Sequence, residues 1–455
     1  MKIAKTFCVI PGVLLLGFAT IHLQAAVIFT NLVSLEETNG ASPEAALIQG
    51  KDGNLYGTTF SGGPGGYVTN GTIFQITPSG AFTNLIAFNS TNGAGPRAGL
   101  VQATDGSFYG TTYNGGSNDA GTVFQLTTNG VLTTLATFDF DTGHYPIAGL
   151  LQGQDGNFYG ATAIGGTNGY GTVFRLATNG TVTTLVSFDN TNGASPYGVL
   201  VQTKDGSLYG TTYQGGTNGQ GTIFKLTTNG TFTSIYSFTG TNDGGSPYAG
   251  LVQGRDGNFY GTTFYGGTNG YGTVFKFATN GTLTTLVSFA DTDGANPQAG
   301  VVQATDGNFY GTTFSGGTNG DGTIFKLATN GALTTLVSFD GTNGAAPQAG
   351  LVQIADGNFY GTTTHGGINE FGTVFRLGVI VPPPKFQTVT RAGATLALTW
   401  TATVGQSYQM LYKTNLSQTT WSNLDNSLAA TNSIMTTFDA TGPDRQRLYR
   451  ILQLP

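Results

Sequence analysis

Short apolar runs separated by Gly, Asn and Asp recur along most of this chain. In one copy the runs are Gly250–Gln253, Phe259–Thr263, Thr273–Phe277 and Leu283–Phe289, here named A, B, C and D. Runs of this length, rich in Val, Phe, Tyr and Thr and bounded by turn residues, indicate β-strands. Asp-Gly joins A to B and Asn-Gly joins C to D, and both dipeptides favour tight hairpins. Each copy therefore predicts a four-stranded antiparallel sheet.

The Asp-Gly of the A–B turn repeats along the chain at intervals of 50 to 53 residues. Strand C carries apolar residues on both faces, so the sheets have to stack face to face. Four strands per unit at this spacing predict a β-propeller. The repeated aspartates are Asp52, Asp105, Asp155, Asp205, Asp256, Asp306 and Asp356.

The order of the copies predicts how the propeller closes. One copy of strand D, Phe29–Leu35, precedes the first A–B–C set, and the last C strand, Thr373–Leu377, is followed by no D. The first D strand can complete the last blade and leave no unpaired edge at the seam. We therefore predict an all-β fold with a seven-bladed β-propeller over residues 27–378, four antiparallel strands per blade. An open solenoid is the alternative, but it gives no reason for this offset.

Residues 1–26 predict a secretory signal peptide. Lys2 and Lys5 precede an apolar run that ends near two alanines, and the run is shorter than the roughly 20 residues of a membrane span. The single cysteine, Cys8, lies in this leader, so Cys-based metal or redox chemistry is excluded from the mature chain. We expect a secreted, cell-surface or periplasmic protein that is not inserted in a membrane after signal removal.

The last part of the chain differs in composition. A Pro-rich linker covers residues 379–384, and residues 385–455 contain both tryptophans and few glycines. This pattern predicts a small fibronectin-III-like β-sandwich. Its expected strands are Thr395–Trp400, Ser407–Tyr412, Ile434–Phe438 and Leu448–Leu452.

The charge and the motifs exclude several classes of function. The net charge is −6, or −8 without the two lysines of the leader, so nucleic acid and anionic membranes are poor partners. Gly-rich loops such as GTNGYG lack GK[ST], and the chain has no G-x-S-x-G, so we expect neither a nucleotide site nor a Ser-His-Asp hydrolase. We expect no cofactor, and we expect a monomer.

The repeated pattern DGNFYGTT–GG–NG–GTVFKL–TNG–LTTLVSF resembles the bacterial GloVer, or Gloeo/Verruco, tandem repeat from about Phe29 to Leu377. The C-terminal region, with TWSNL at Thr420–Leu424 and LYRI at Leu448–Ile451, is similar to short β-sandwich domains that end secreted proteins of verrucomicrobia-like bacteria. The resemblance implies an exported or surface-associated bacterial protein. It brings no established activity and no catalytic residues.

The topology of an up-and-down blade places the B–C and D–A loops on one rim, named here the loop rim. These loops differ between copies, and variable loops on a repeated scaffold are where ligands usually bind. Aromatic rings and amides there would suit a sugar. Packing over the blade ends is the better explanation for any single ring, and binding is favoured for the rim as a whole because it contains several such residues. The candidate ligand-binding residues are Tyr170, Tyr197, Tyr248, Tyr271, Phe371 and Arg97.

The acidic residues give weaker candidates. A glycosidase needs two carboxylates roughly 5 to 10 Å apart, and ring closure would bring Glu44 and Glu370 near each other. Fragments of a D-x-D pattern in two D–A loops are weak calcium candidates; they are Asp139, Asp141, Asp291 and Asp293. The Asp of each Asp-Gly is explained by turn formation. The glutamines that precede these turns are expected to bond to the backbone of a neighbouring blade.

These observations favour a non-catalytic binding or surface-interaction protein whose partner is an extracellular glycan or protein. The first alternative is a polysaccharide hydrolase or lyase that uses carboxylates of the rim. The second alternative is a structural component of the cell envelope.

Overall fold

The computed structural model describes residues 27–65, 70–379, 384–402, 407–415, 417–440 and 447–454. The predicted signal peptide and most of the predicted linker lie outside the described residues. Two compact units are present. One comprises Phe29–Gln303 and Phe309–Leu377, and the other includes Gly378–Pro455 and the short segment Ala304–Asn308. The secondary structure of the described residues is β-strand without helix, which confirms the all-β prediction.

Strand β1 (Val27–Ser34) comes first, and the repeats are numbered from the strands that follow it. Repeat 1 contains β2 (Ile48–Gln49), β3 (Leu55–Thr59), β4 (Thr72–Ile76) and β5 (Phe82–Ala87). Repeat 2 contains β6 (Val101–Gln102), β7 (Phe108–Thr112), β8 (Thr122–Leu126) and β9 (Leu132–Thr137). Repeat 3 contains β10 (Leu151–Gln152), β11 (Phe158–Thr162), β12 (Thr172–Leu176) and β13 (Val182–Ser187). Repeat 4 contains β14 (Val201–Gln202), β15 (Leu208–Thr212), β16 (Thr222–Leu226) and β17 (Phe232–Ser237).

The later repeats follow the same plan. Repeat 5 contains β18 (Val252–Gln253), β19 (Phe259–Thr263), β20 (Thr273–Phe277) and β21 (Leu283–Ser288). Repeat 6 contains β22 (Val302–Gln303), β23 (Phe309–Thr313), β24 (Thr323–Leu327) and β25 (Leu333–Ser338). Repeat 7 contains β26 (Val352–Gln353), β27 (Phe359–Thr363) and β28 (Thr373–Val379).

Each of the first six repeats forms one four-stranded sheet in chain order, and β1 is the fourth strand of the sheet of repeat 7, beside β28. In repeat 5 the predicted bounds of strands B and C agree with the structure, strand A has only two residues, and strand D ends at Ser288 rather than Phe289. Strand β1 begins and ends earlier than the predicted Phe29–Leu35, and β28 extends past the predicted end at Leu377 to Val379. The pairing of strand C with strand D contains a recurrent register shift. In repeat 5 the shift lies between Val274 and Phe275 of strand C.

Apolar residues of strands B and C pack between neighbouring sheets. Ile223 and Phe238 of repeat 4 share one cluster with Phe259 and Phe275 of repeat 5. The same packing joins the last repeat to the first, since Tyr360 and Val374 lie in a cluster with Leu55 and Phe74. Burial of this apolar surface is the main stabilising contribution. Repeat 7 therefore packs against repeat 1.

The glycine in the middle of strand B is explained by close packing within the sheet. A Cβ atom on Gly261 would lie 2.6 Å from Cζ of Phe275, the facing residue of strand C. Such a contact is too short, so the ring of Phe275 can lie over the strand only because residue 261 has no side chain. The repeated F-Y-G-T-T sequence is thus a packing requirement.

The glutamine that ends strand A links adjacent repeats, as the sequence predicted. The backbone N–H of Lys51 in repeat 1 donates to Oε1 of Gln102 in repeat 2 at 2.9 Å. The amide of Gln102 also donates to the carbonyl of Gly106 in its own turn. The same inter-repeat bond joins Thr104 to Gln152, Gln154 to Gln202 and Arg255 to Gln303.

The other unit contains two sheets that share one core. The first sheet comprises β29 (Phe386–Ala392), β30 (Thr395–Thr401) and β34 (Ile434–Ala440), and the second comprises β31 (Ser407–Lys413), β32 (Ser422–Asn423), β33 (Leu428–Ala429) and β35 (Leu448–Gln453). Trp400 and Met410, from opposite sheets, are buried in one cluster. The sequence did not predict β29, β32 and β33, because their residues are largely exposed and give little apolar alternation.

Candidate functional site

The D–A and B–C loops meet at the same end of the sheets, as predicted for the loop rim. Within repeat 1 the D–A loop pairs with the B–C loop through a bridge between Ala41 and Ser61. The backbone N–H of Ser42 donates to the carbonyl of Phe371, in the B–C loop of repeat 7, at 3.0 Å. Equivalent bonds recur around the unit, for example from Ser195 to Tyr170 and from Asn296 to Tyr271. Each D–A loop is therefore held between two B–C loops.

The residues that follow the proline of each D–A loop lie close to the equivalent residues of neighbouring repeats. A Cβ atom on Gly99 would lie 2.9 Å from the carbonyl oxygen of Ala46, and one on Gly149 would lie 3.4 Å from the carbonyl oxygen of Gly99. The D–A loops of these neighbouring repeats are thus close together. The residues that directly follow the proline in the seven loops are Glu44, Arg97, Ile147, Tyr197, Tyr248, Gln298 and Gln348.

An ion pair lies in this group. Nε of Arg97 is 3.5 Å from a carboxylate oxygen of Glu44, whose side chain is only 11% exposed. The guanidinium also lies over the rings of Phe60 and Tyr113, at 4.5 and 4.8 Å from their centroids. Burial raises the pKa of the Glu44 carboxyl, and the charge of Arg97 opposes this shift. Nε of Arg97 is buried and forms no hydrogen bond with the described residues, so its contact with Glu44 is an ion pair without a short hydrogen bond.

A first row of rings continues outward from Arg97. Tyr113 stacks on Tyr145 with ring centroids 4.2 Å apart and an interplanar angle of 10°. His144 packs on Tyr145 at 3.9 Å, and Phe140 approaches His144 at 6.4 Å. Nε2 of His144 is buried and has no hydrogen-bond partner among the described residues. This row spans the loops of repeats 2 and 3.

A second row of rings belongs to repeats 4 and 5. Tyr197 stacks on Tyr213 at 5.1 Å and meets Tyr248 edge-on at 5.0 Å. Phe264 lies 6.5 Å from Tyr248, and Tyr265 lies 4.4 Å from Phe264. Burial raises the pKa of Tyr248 to about 12, so its hydroxyl stays a neutral hydrogen-bond donor at physiological pH. The charge of Arg97 opposes this shift in the pKa of Tyr248, and the charge of Glu44 adds to it.

Several rings of the loop rim are open to solvent. Phe140 is 55% exposed, Tyr170 43%, Tyr265 49% and Tyr271 38%. All four lie in D–A or B–C loops. These four rings are therefore accessible to solvent on the loop rim.

The structure brings together three of the six predicted ligand-binding residues, Arg97, Tyr197 and Tyr248. Tyr170 and Tyr271 lie exposed in B–C loops, and Phe371 is half-buried with its carbonyl bonded to Ser42. The sequence analysis missed Tyr113 and Tyr213. Both follow strand B directly, at a position whose identity varies between repeats, and that variation was the available signal. The position is occupied by Phe60, Tyr113, Ala163, Tyr213, Phe264, Phe314 and Thr364.

The acidic candidates have other surroundings. Glu370 is exposed in a left-handed backbone conformation, with φ of 65°, while Glu44 is held beside Arg97. Oδ1 of Asp139 accepts the backbone N–H of Thr142 at 2.8 Å, and Oδ1 of Asp293 accepts that of Ala290 at 2.9 Å. These carboxylates cap their own loops, whereas Asp141 is exposed and Asp291 is also exposed.

The described residues contain neither a cluster of metal ligands nor a helix that could span a membrane. In residues 27–454, leaving aside the undescribed gaps, no group of three or more His, Cys, Asp or Glu side chains could hold a metal ion. The part of the chain that the structure describes also has no helix with the length and hydropathy of a membrane span.

Solved structures with a similar fold were found. The extracellular domain of a protein assigned as a hybrid two component system of B. thetaiotaomicron matches with a TM-score of 0.51 and 12% identity. The match covers 93% of this chain and 55% of that chain, so this chain spans about half the length of that protein. At this identity the likeness shows the fold alone, and it supports a propeller-like arrangement.

Two further structures are more distant. A lectin from Burkholderia pseudomallei matches with a TM-score of 0.46 and 11% identity, over 77% of this chain and 98% of that chain. A protein of Bacteroides fragilis assigned as a 6-phosphogluconolactonase matches with a TM-score of 0.48 and 17% identity, over 85% of this chain and 98% of that chain. No curated protein is significantly similar to this chain in sequence.

The resemblance noted in the repeated motifs is confirmed by a family model that describes the Gloeobacter/Verrucomicrobia repeat. The model matches residues 20–153, 68–253 and 200–424, three overlapping segments that together cover most of the chain. The matched segments contain every repeat and both rows of rings. The chain belongs to the Gloeobacter/Verrucomicrobia repeat family.

Proposed function

We propose that the repeat unit is a seven-bladed β-propeller that binds an extracellular glycan or another extracellular polymer on its loop rim, without catalysis. The observation that carries this proposal is the position of the exposed rings. Phe140, Tyr170, Tyr265 and Tyr271 all lie in loops of one rim, and two of them, Phe140 and Tyr265, continue the half-buried rows of rings.

Support for a closed propeller comes from the seam. Strand β1 lies beside β28, and the ring of Phe29 packs on Phe375 at 5.3 Å and on Phe339 at 5.8 Å. The hydroxyl of Thr362 in repeat 7 donates to the carbonyl of Pro43 in the first D–A loop. A closed ring leaves no strand edge for uncontrolled pairing.

The chemistry of the rim suits a carbohydrate. Flat rings present apolar faces to the C–H groups of a sugar, while tyrosine hydroxyls and the Arg97 guanidinium can bond to sugar hydroxyls. Rings that run outward from the centre would contact successive units of a polymer. A concave surface with few polar groups between aromatic walls is the usual form of such a site.

The cellular location follows from the sequence alone. The expected leader at residues 1–26 would export the protein, so the polymer would be met outside the cytoplasm or in the periplasm. We propose that the protein is a monomer that is not inserted in a membrane after signal removal. We propose that the C-terminal unit is a fibronectin-III-like β-sandwich with an accessory role.

The test is a polysaccharide-binding screen followed by calorimetry with the best ligand. Tyr170→Ala and Tyr271→Ala should each weaken binding by about tenfold, which is the loss of one contact of about 1.4 kcal/mol. Phe438→Ala is the matched control, because this ring is 65% exposed in the β-sandwich unit. No binding to any polysaccharide would overturn the proposal and favour a structural envelope component. Unchanged affinity in both tyrosine variants would place the site elsewhere.

One observation favours a second candidate function, a polysaccharide hydrolase or lyase. The buried Glu44 carboxyl has a raised pKa, and a raised pKa suits a general acid. Release of reducing ends from a bound polysaccharide, abolished in Glu44→Gln and in Glu370→Gln, would establish this function. Binding without product would exclude it.

A further inference from the structure

The rim opposite the loop rim carries the A–B and C–D turns and is here named the turn rim. Between repeats 4 and 5 it contains a cleft of about 600 Å³. Among the residues that line this turn-rim cleft are Thr203, Lys204, Asp205, Tyr209, Gln253 and Phe259. Its volume lies in the range of small-molecule sites.

The bond that closes other junctions is missing at this one. Repeats 1 and 2 are joined by the backbone N–H of Lys51 and Oε1 of Gln102. The equivalent atoms here are the N–H of Lys204 and Oε1 of Gln253, and among the described residues neither has a hydrogen-bond partner. The amide of Gln253 still donates to the carbonyl of Gly257 at 3.1 Å. The turn therefore keeps its own hydrogen bond. The N–H of Lys204 and Oε1 of Gln253 have no partner among the described residues.

A second bond of the repeat is also missing. The tyrosine of strand B normally donates to the aspartate of its own turn, as Tyr159 does to Asp155 at 2.7 Å. In repeat 4 the Asp205 carboxylate instead accepts from Thr203 and from the backbone N–H of Ser207. The Tyr209 hydroxyl is left without a partner among the described residues, while its ring packs on Phe259 at 4.5 Å.

The cation of this turn is free as well. Nζ of Lys51 reaches across its junction to the carbonyls of Ala103 and Thr104, at 3.3 and 3.4 Å. Lys204, at the same repeat position, is exposed and makes no such contact with the described residues. Nζ of Lys225 lies 3.9 Å from Asp205, which reduces the repulsion that this carboxylate would exert on an anion.

The junction of repeats 7 and 1 shows why the missing bond alone is insufficient. The N–H of Ala355 and Oε1 of Gln49 are also unbonded within the described residues. The turn there carries Ala355 in place of a lysine, and Tyr360 keeps its bond to Asp356 at 2.8 Å. The open bond, the free cation and the free tyrosine hydroxyl coincide only between repeats 4 and 5 among the junctions that the structure describes in full.

We propose that the turn-rim cleft binds an acidic sugar, a saccharide unit that carries a carboxylate or sulfate group. Lys204 supplies the charge and, through its backbone N–H, a second donor to the anion. The Tyr209 hydroxyl donates to the ring oxygen of the sugar or to an oxygen of its substituents. Oε1 of Gln253 accepts a hydrogen bond from a sugar hydroxyl. The site is independent of the loop rim, because no residue is shared with it.

The test is calorimetric titration of the full chain with digalacturonate, a sulfated disaccharide of heparin, neutral cellobiose and sodium sulfate. Either acidic disaccharide should bind, and binding should weaken with added salt, since it rests on charge. Lys204→Gln should raise Kd by about tenfold or more, and Tyr209→Phe by severalfold. Lys51→Gln is the matched control, with the same residue type and repeat position at a closed junction, and should leave Kd unchanged. Thermal melting of each variant checks the fold.

The probes distinguish the anion. Preference for digalacturonate assigns a carboxylate, and preference for the heparin disaccharide assigns a sulfate. Equal affinity for sodium sulfate, equal affinity for cellobiose, or equal effects of Lys204→Gln and Lys51→Gln would each overturn the proposal, as would binding of none of the probes. Tyr170→Ala should not change this affinity, so failure here is separable from failure of the loop-rim proposal.

Discussion

The backbone N–H of Leu35 donates to the carbonyl oxygen of Gly372 at 2.9 Å, which joins the first strand of the repeat unit to the last. The hydroxyl of Ser34 extends this contact by accepting the N–H of Ile368 at 2.7 Å. Repeat 7 is therefore complete only when both ends of the unit are present. Folding of the last sheet depends on a contact of very large sequence separation, and such contacts form late and slowly.

Removing the side chain that anchors β1 should destabilise the repeat unit. Phe29 packs on Phe339 and Phe375, so Phe29→Ala should lower the free energy of unfolding by about 2–3 kcal/mol. Ile28→Ala provides the control, because Ile28 is 53% exposed and should change it by less than about 0.5 kcal/mol. Urea unfolding measures both. Equal effects of the two variants would mean that β1 does not carry the seam.

The glutamine that ends strand A should stabilise some junctions and not others. Gln102 accepts the N–H of Lys51 in the neighbouring repeat and donates to the carbonyl of Gly106 in its own turn, so Gln102→Leu loses two bonds, at a cost of about 1 kcal/mol each. Gln253→Leu should cost about half as much, because it loses only the bond to the carbonyl of Gly257, and Oε1 of Gln253 has no partner among the described residues. Paired denaturation curves of the two variants measure the difference. A larger loss in Gln253→Leu would contradict the open junction between repeats 4 and 5.

A buried pair of threonine hydroxyls recurs in the sheets, and its loss should be costly. Oγ1 of Thr263 lies 2.8 Å from Oγ1 of Thr273, donates to the carbonyl of Tyr265 and accepts the N–H of Thr273 at 3.1 Å. Thr263→Val keeps the volume but leaves buried polar groups unsatisfied, so it should cost about 1–3 kcal/mol. Thr263→Ser, which keeps the hydroxyl, should cost less. The reverse order in thermal melting would argue against these bonds.

The tyrosines of strand B predict a loss of stability at high pH. Burial, together with the hydrogen bond to Asp105, raises the pKa of Tyr109 to about 12, and burial and Asp356 do the same for Tyr360. A group whose pKa is raised on folding stabilises the fold below its unfolded pKa, which is about 10 for tyrosine. This stabilisation is lost as the pH rises from about 10 to about 12. Melting temperatures across that range should fall steeply, and Tyr109→Phe should make the fall shallower.

An unchanged pH slope in Tyr109→Phe would show that ionisation of Tyr109 is not linked to unfolding. The variant lacks both the titrating group and its bond to Asp105, so its stability at neutral pH should be lower by about 1 kcal/mol. Comparison of the variant with the unsubstituted protein at neutral and high pH separates these effects.

Much of the fold could be predicted from the sequence because every repeat contains the same local signals for strands and turns. Turn dipeptides and alternating apolar positions specify the hairpins, and the offset of Phe29–Leu35 predicted which strand lies beside β28. The strands of the C-terminal unit with exposed residues were not predicted, since alternation is weak where few side chains are buried. The inter-repeat role of Gln102 was predicted because a polar residue before a tight turn needs a bonding partner.

The candidate sites were only partly readable. The sequence predicted that Arg97, Tyr197 and Tyr248 lie on one rim, since all three follow the proline of a D–A loop. It could not show that Tyr113 and Tyr213 join them, because strand-end residues of one repeat meet loop residues of the next only after the sheets stack. The ion pair of Glu44 with Arg97 likewise depends on two repeats being adjacent.

The sequence by itself determined the strands, the turns, the number of repeats and the side on which the variable loops gather, because these depend on residues close together in the chain. Only the tertiary structure decided which side chains meet across the junctions. It showed that Tyr209 and Lys204 lack the bonds that their counterparts make, because partners at such distances in sequence are selected by packing between sheets rather than by local geometry.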